Sequence, residues 1–369
     1  MQYRRIVIKF GTSTLTAGTP FLALPHILDL VRQIARLHAD GSEVILVSSG
    51  AVATGREALK FPELPKFIPS KQMLSAIGQP RLMGIYDQFF RIYDETVAQV
   101  LLTRSDLTDR NRYLNARNTL EALLSLRVIP VINENDTVAT DEIRFGDNDN
   151  LSALVANLIE ADLLVMLTDQ PGLFTKDPRR DAEAQLINEI NSPEIPPEIW
   201  QAAGGSNSGL GTGGMFTKLS AADLARRSGS TVVIAGGKEP DVLLRVAAAV
   251  EPIGTRLTPV VSTLESRKRY LLAGKKSTGI LQIDDGAVQA ILQGGSLLPV
   301  GVKDIKGKFE RGDTVRVAAL SGKEIALGLV NYSARDLAAF YGRQSAEIES
   351  LLGYTFGDEV IHRNNMLLL

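Results

Sequence analysis

The sequence predicts an α/β protein in two parts: a mainly parallel sheet covered by helices on both faces, then a small β-rich domain. Three observations carry this. Strand-like and helix-like runs alternate through the first two-thirds of the chain. The texture changes near Gly254, where turn residues and basic residues replace the alternation. The length of 369 residues, 44% of them apolar, exceeds one ordinary core and suffices for two.

The expected strands come in order at Arg4 to Phe10, Glu43 to Ser49, Val97 to Leu102, Val128 to Asn133, Asp162 to Thr168 and Ser230 to Gly236. Most are short β-branched runs that end in small or polar residues. Between them lie helical patterns such as "HILDLVRQIARLHA", "YLNARNTLEALLSL" and "DNLSALVANLIEA". In such sheets ligands gather beyond the carboxyl ends of the strands. The run "IGTRLTPVVSTLESRKRYLLAGKKS" reads as a linker. Glycine-broken strand-like pieces follow: "TGILQID", "GSLLPVGVKDIKG", "FERGDTVRVAAL" and "GKEIALGLVNY". The expected organisation is a first domain over 1–255, a linker over 256–274, a second domain over 275–355 and a tail over 356–369, docked or frayed.

Composition narrows the chemistry. A net charge of −2 argues against a whole-protein electrostatic grip on nucleic acid or an anionic membrane. Without cysteine there are no disulfides, thiolate metal sites or cysteine nucleophiles. The three histidines, His26, His38 and His362, are scattered, which disfavours a histidine metal cluster and a serine–histidine triad. "MQYRRIVIKFG" enters a strand directly, and no apolar run reaches about 18 residues. A cytoplasmic protein without a membrane segment is the expectation.

The strand ends hold the informative residues. Lys9 ends the first strand before "GTS", where a lysine either reaches solvent or meets an anion. "SSGAVATG" ends the second; Ser48 and Ser49 read as a helix N-cap, or as part of an anion site at the helix start. "NENDTVAT" and "FGDNDN" bring Asn133, Glu134, Asn135, Asp136, Asp147, Asn148, Asp149 and Asn150 into a short span. Turns and caps explain one such cluster more comfortably than two. Carboxylates and amides at strand ends suit an amino-acid ammonium group, or Mg²⁺ with its waters. The fifth strand ends at Thr168 and Asp169, before a proline–glycine turn.

The run "GLGTGGMFTK", Gly209 to Lys218, resembles a phosphate loop but lacks the Walker A spacing. Its glycines let the backbone approach a polyphosphate, and Lys218 adds a point charge early in the next helix. A flexible surface loop is the plain alternative. Lys9 and Lys218, with a magnesium ion, can neutralise charge during phosphoryl transfer without covalent catalysis. A carboxylate acceptor is already ionised near neutral pH, so such a kinase needs no histidine base.

Taken together, "KFGTS", "VSSGAVATGRE", "SKQMLSAIGQPRLM", "LNARNTL", "PVINENDTVAT", "GDNDNLSALVA", "LTDQPGLFT" and "GLGTGGMFTK" resemble the glutamate 5-kinase branch of the amino acid kinases. "GSLLPVGVKDIKGKFERGDTVRV" and "GLVNYSA" resemble the PUA domain that bacterial forms carry. The resemblance implies a three-layer α/β/α sandwich and ATP-dependent phosphorylation of the L-glutamate side chain, the first step of proline biosynthesis. It implies Lys9 and Lys218 on the ATP phosphates, with Asp149 orienting both lysines. Nucleotide contacts would come from Thr168, Asp169, Thr212, Gly213, Gly214, Met215, Phe216, Thr217 and Lys218. Ser49, Asp136 and Asn148 would hold glutamate. Mg²⁺, feedback inhibition by proline and a homo-oligomer, dimer or tetramer, are implied as well. The pattern departs at Phe216, where a small residue such as serine is expected.

Other readings are an amino acid kinase with a different acceptor (aspartate, acetylglutamate, carbamate or a nucleotide) and an RNA-binding PUA protein. The basic residues Arg267, Lys268, Arg269, Lys275, Lys276, Lys303, Lys306, Lys308 and Arg311 would serve RNA. Solvated charge accounts for them better, because few aromatics interleave to stack bases.

Overall fold

The computed structural model describes residues 3–65, 67–139, 148–178, 181–204, 214–260 and 279–369. The chain divides into two compact units: Met1–Thr108 with Ala116–Thr263, and Asp109–Asn115 with Leu264–Leu369. From the N-terminus run β1 (Arg5–Phe10), α1 (Thr12–Thr16), α2 (Leu24–Ala39), β2 (Glu43–Ser48), α3 (Ala51–Ala58), α4 (Ile68–Arg91), β3 (Val97–Leu102), α5 (Arg104–Thr108), α6 (Arg110–Ser125) and β4 (Ile129–Glu134). There follow α7 (Asn148–Leu158), β5 (Leu163–Thr168), β6 (Glu189–Ile190), α8 (Pro197–Ala202), α9 (Met215–Arg227), β7 (Thr231–Gly236), α10 (Val242–Ala248) and β8 (Thr255–Leu257).

The eight strands form one sheet in the order β3-β4-β2-β1-β5-β7-β8-β6. Neighbours run parallel except β7 and β8. The strand period of two sorts side chains between the faces. Ile6, Ile8 and Phe10 of β1 join a core with Ile27 and Leu30 of α2, Leu82 and Tyr86 of α4, and Val242 and Val246 of α10. Val7 and Lys9 therefore point the other way, to the face that α7 and α9 cover. This is the three-layer α/β/α sandwich. It also puts a lysine beneath the first turn of α7, which decides the chemistry below. β1 and β5 lie side by side at the centre, flanked by β2, β4 and β3 on one side and β7, β8 and β6 on the other. The carboxyl ends of β1, β2, β4 and β5 thus open onto one crevice.

The six expected strands of the sheet occur within about one residue of their sequence-derived ends. Two short strands went unforeseen. β6 has two residues. Thr255–Leu257 includes residues given to the linker, yet Thr255 and Leu257 are buried and the segment pairs antiparallel with β7. Three residues are too few for periodicity to register.

The second unit holds a five-stranded sheet of β9 (Gly279–Ile283), β10 (Val302–Gly307), β11 (Thr314–Ala319), β12 (Glu324–Leu329) and β13 (Met366–Leu368), ordered β10-β9-β11-β12-β13. Its core gathers Leu281, Ile283, Val315, Val317, Ala326, Tyr332 and Phe340. The tail "IHRNNMLLL" is docked, because Met366–Leu368 pairs antiparallel with β12 as the edge strand. Helices Asp285–Leu292 and Ala334–Phe340 went unforeseen; each is short and starts on a side-chain cap, Asp284 and Ser333. No helix among the described residues is long and apolar enough to cross a membrane.

Candidate active site

The centre of the crevice is an ion cluster. Lys9 Nζ stands 2.5 Å from Asp149 Oδ1, and Lys218 Nζ stands 3.2 Å from Asp149 Oδ2. All three residues are buried, Asp149 to 1% exposure. Each comes from a different element: the carboxyl end of β1, the second residue of α7 and the first turns of α9. Burial disfavours the Asp149 carboxylate, but the charges of Lys9 and Lys218 outweigh it and hold its pKa below the ordinary value. The positive end of α7 acts in the same direction. Burial pulls the Lys9 pKa down, Asp149 opposes that, and Lys218 adds to it. Thr217 Oγ1 lies 2.9 Å from Asp149 Oδ2 and 2.8 Å from the Gly214 carbonyl oxygen. Asp149 thus aligns two ammonium groups on one side of the crevice. A cluster of two cations and one anion carries a surplus positive charge, suited to a polyanion.

The backbone leaves room for that polyanion. Gly11 turns the chain after β1, and a Cβ there would sit 3.4 Å from Lys9 Nζ. Gly50 precedes α3 with φ 107°, a left-handed conformation that favours glycine, and a Cβ would meet Leu15 at 2.7 Å. The serine pair does not cap α3, contrary to the capping alternative. Ser48 Oγ bonds to the Ser49 carbonyl (2.8 Å) and to Tyr86 Oη (2.7 Å). α3 and α9 start at Gly50 and Gly214 without a side-chain cap, which among the described residues suits their first-turn N–H groups to an anion.

A second, uncharged group lies beside the first. Asn148 Nδ2 donates to Ser49 Oγ (2.9 Å), to Asn133 Oδ1 (2.9 Å) and to the Ser48 carbonyl (3.3 Å). Its Oδ1 is buried without a hydrogen-bond partner among the described residues. Because Asn148 donates to Ser49 Oγ, the Ser49 proton is free to point elsewhere. The site therefore offers one amide acceptor and one hydroxyl donor side by side.

Asp136 stands in the turn after β4 and accepts a short hydrogen bond from Ser75 of α4. Burial raises its pKa, while the Ser75 bond and the charge of Lys71 work against the rise. It lines a cavity of about 260 Å³ with Ser75, Gln79, Gln99 and Glu134. Thr168 Oγ1 bonds Asp169 Oδ1 at 3.0 Å at the tip of β5, with Thr168 buried and Asp169 exposed. Nearby, Gln170, Leu173, Phe174, Ile199, Gly214 and Met215 line a cavity of about 180 Å³. Phe216 packs on Trp200, the only tryptophan, with ring centroids 5.5 Å apart. That contact gives the unexpected aromatic a structural role between α8 and α9. Thr212 and Gly213 lie outside the described residues, as does Asp147.

The structure thus joins Lys9, Asp149, Thr217 and Lys218 in one cluster, and Ser49 with Asn148 in another. Gln79, Ser75 and Tyr86 were not singled out from sequence. The signal for Ser75 and Gln79 was present in "SKQMLSAIGQPRLM": polar residues at helical spacing within a helix that otherwise feeds the core, to which Tyr86 also belongs.

The chain is similar to known proteins along its length. The amino acid kinase family matches residues 4–236, and the PUA domain matches residues 279–352. A glutamate 5-kinase of Herpetosiphon aurantiacus is 52% identical, with 99% of this chain and 98% of that protein covered. One from Shewanella oneidensis is 52% identical over 100% of this chain and 98% of that protein. One from Haemophilus influenzae is 51% identical over the full length of both.

Proposed function

We propose, from the premise that this chain belongs to the amino acid kinase family and groups with its glutamate 5-kinases, that it transfers the γ-phosphoryl group of ATP to the side-chain carboxylate of L-glutamate. The products are ADP and L-glutamyl 5-phosphate, and the reaction opens proline biosynthesis. One observation carries the reading: two buried lysines meet on one aspartate, next to an amide oxygen without a partner among the described residues and a serine hydroxyl that accepts from that same amide. The chain thereby supplies charge for a transferring phosphoryl group and polar partners for an amino acid, and the reaction calls on no general base from it. A carboxylate acceptor needs none. Its oxygen attacks the γ-phosphorus, the bond to the bridging oxygen breaks, and ADP leaves with the electron pair.

In this reading Lys9 and Lys218 hold the phosphate oxygens, and Asp149 orients both. Thr168, Asp169 and the segment from Thr212 through Gly213, Gly214, Met215, Phe216 and Thr217 to Lys218 hold the nucleotide. Ser49 donates to a glutamate carboxylate, while Asp136 and Asn148 Oδ1 accept from its ammonium group. Mg²⁺ bound to the nucleotide supplies further charge neutralisation. The residues fit a cation carried on phosphates and water. Among the described residues no three acidic, histidine or cysteine side chains gather to cage a metal. A cytoplasmic setting, proline inhibition and a homo-oligomer, dimer or tetramer, belong to the same proposal.

The test is ADP release with Mg²⁺-ATP against a panel of amino acids, with hydroxylamine to trap the acyl phosphate. L-glutamate supports turnover, and L-aspartate supports it about a hundredfold less. Its side chain is one methylene shorter, and a misplacement of about 1 Å costs roughly that much. Equal turnover of aspartate discards the glutamate assignment and keeps the kinase.

Asp136→Asn separates binding from stability. The KM for glutamate rises, because an amide is a weaker partner for an ammonium group. The melting temperature rises as well. Burial places the folded pKa of Asp136 above its unfolded value, so its contribution to stability is present at low pH and lost as pH rises through the folded pKa. At neutral pH the ionised side chain is a cost, and the amide removes it. A lower melting temperature at pH 7 than at the parent's would contradict the sign.

A chain stopped at Ser262 keeps kinase activity, because every proposed catalytic residue lies at or before Lys218. A folded truncation without ADP release refutes this.

A further inference from the structure

We propose that Gln72, Ser75 and Gln79 form a polar stripe on α4 that positions the acceptor amino acid, by holding the segment Asn133–Ala139 and, through Asn133, the amide of Asn148. The proposal rests on the reading of Asp136 and Asn148 as partners of the glutamate ammonium group.

The three residues lie at i, i+3 and i+7 of a 24-residue helix and so share one face. The helix also sends Leu82, Tyr86 and Phe90 into the core, which anchors it independently. The stripe meets the segment point by point and in reverse order. Gln79 Oε1 accepts from Asn133 Nδ2 at 2.7 Å. Ser75 Oγ donates to Asp136 Oδ2. Gln72 Nε2 reaches the carbonyls of Thr137 and Ala139, each at 3.3 Å. An apolar seam would tolerate sliding. A seam of directed bonds does not, because a slip of one residue breaks every bond in it.

The seam also fixes which way the amides face. The Glu134 backbone N–H can only donate, and it donates to Asn133 Oδ1 at 2.9 Å. Asn133 must therefore turn its Nδ2 to Gln79, whose Oε1 receives it. Asn148 must then present Nδ2 to Asn133 Oδ1, and the Ser48 carbonyl demands the same. The remaining atom, Asn148 Oδ1, is left buried and unpaired among the described residues. An unpaired buried acceptor is costly, and a substrate donor removes that cost. A substrate ammonium group has three donors, and Asp136 with Asn148 Oδ1 accounts for two of them.

Steady-state kinetics of Ser75→Ala, Gln79→Leu and Ser75→Thr test the proposal. Ser75→Ala and Gln79→Leu each raise the glutamate KM about tenfold. kcat at saturating glutamate stays within about twofold, and the KM for ATP is unchanged. Ser75→Thr keeps the hydroxyl and restores the parent KM. Ser75→Ala also moves the acid limb of kcat/KM to higher pH. It removes the bond that opposes the raised pKa of Asp136 and leaves Lys71 and Glu134, which also face that region, in place. An unchanged glutamate KM in both variants overturns the proposal. So does a loss shared equally by kcat and both KM values, which would mark a merely structural seam. Absence of glutamate turnover by the parent overturns the functional reading beneath it, and the proposal with it.

Discussion

Lys218→Ala lowers kcat about a hundredfold or more and leaves the glutamate KM nearly unchanged. The reason is where the charge acts. Lys218 Nζ is held at 3.2 Å from Asp149, within the buried end of the crevice. In a dry site, a fixed cation aimed at developing negative charge contributes about 3–4 kcal/mol, which is 10²–10³ in rate. The glutamate ligands lie on other elements, so substrate binding is preserved. Stability changes little, because Lys9 still pairs with Asp149. Single-turnover measurement separates this from a slowed product release. A folded Lys218→Ala protein with near-normal kcat would remove the lysine from the chemistry and reduce "GLGTGGMFTK" to a connecting loop.

Asp149→Asn damages both activity and stability. The amide keeps the shape but leaves two buried ammonium groups without their counterion. Breaking a buried ion pair by removing one partner costs about 3–5 kcal/mol. For a domain of this size that lowers the melting temperature by roughly 10 °C. Lys9 relieves part of the strain by losing its proton, since burial and Lys218 already pull its pKa down and only Asp149 opposes them. A neutral Lys9 no longer stabilises a phosphoryl group, so kcat falls more than in Lys218→Ala. Lowering the pH then restores part of the activity as Lys9 regains its proton. In the parent, the depressed pKa of Asp149 gives stability that is present above its unfolded pKa and lost as pH falls through the folded value. The variant lacks that acid dependence. Unchanged melting and unchanged kcat would show that Asp149 neither pairs the lysines nor orients them.

Both predictions start from residues that were visible as types before they were visible as a site. Six of the eight strands in the first sheet were legible, because a buried parallel strand is a continuous β-branched run and its end is marked by a polar residue. The shared ends exposed Lys9, Ser49, Asp136, Asn148, Asp149 and Thr168 as candidates. Short elements were not legible. β6, β8, β13 and the C-terminal helices are too brief for any period to repeat, and their formation depends on neighbours already in place.

What the sequence determined by itself is the set of elements, the strand ends and the residue types that wait there. Those are properties of local pattern, read within a window of about ten residues. Which of these residues meet was decided only in three dimensions. Lys9 faces α7 because strand parity turns it away from α2 and α4. Lys218 reaches Asp149 across 69 positions of chain, because β5 and β7 bring α7 and α9 together on one face. Ser48 and Ser49 left the helix cap for Tyr86 and Asn148, since Gly50 made the turn and long-range partners were nearer. The stripe on α4 is polar in sequence and silent about its partner, for a hydrogen bond needs distance and direction, and the chain supplies those only when the sheet has set where α4 lies against Asn133 and Asp136.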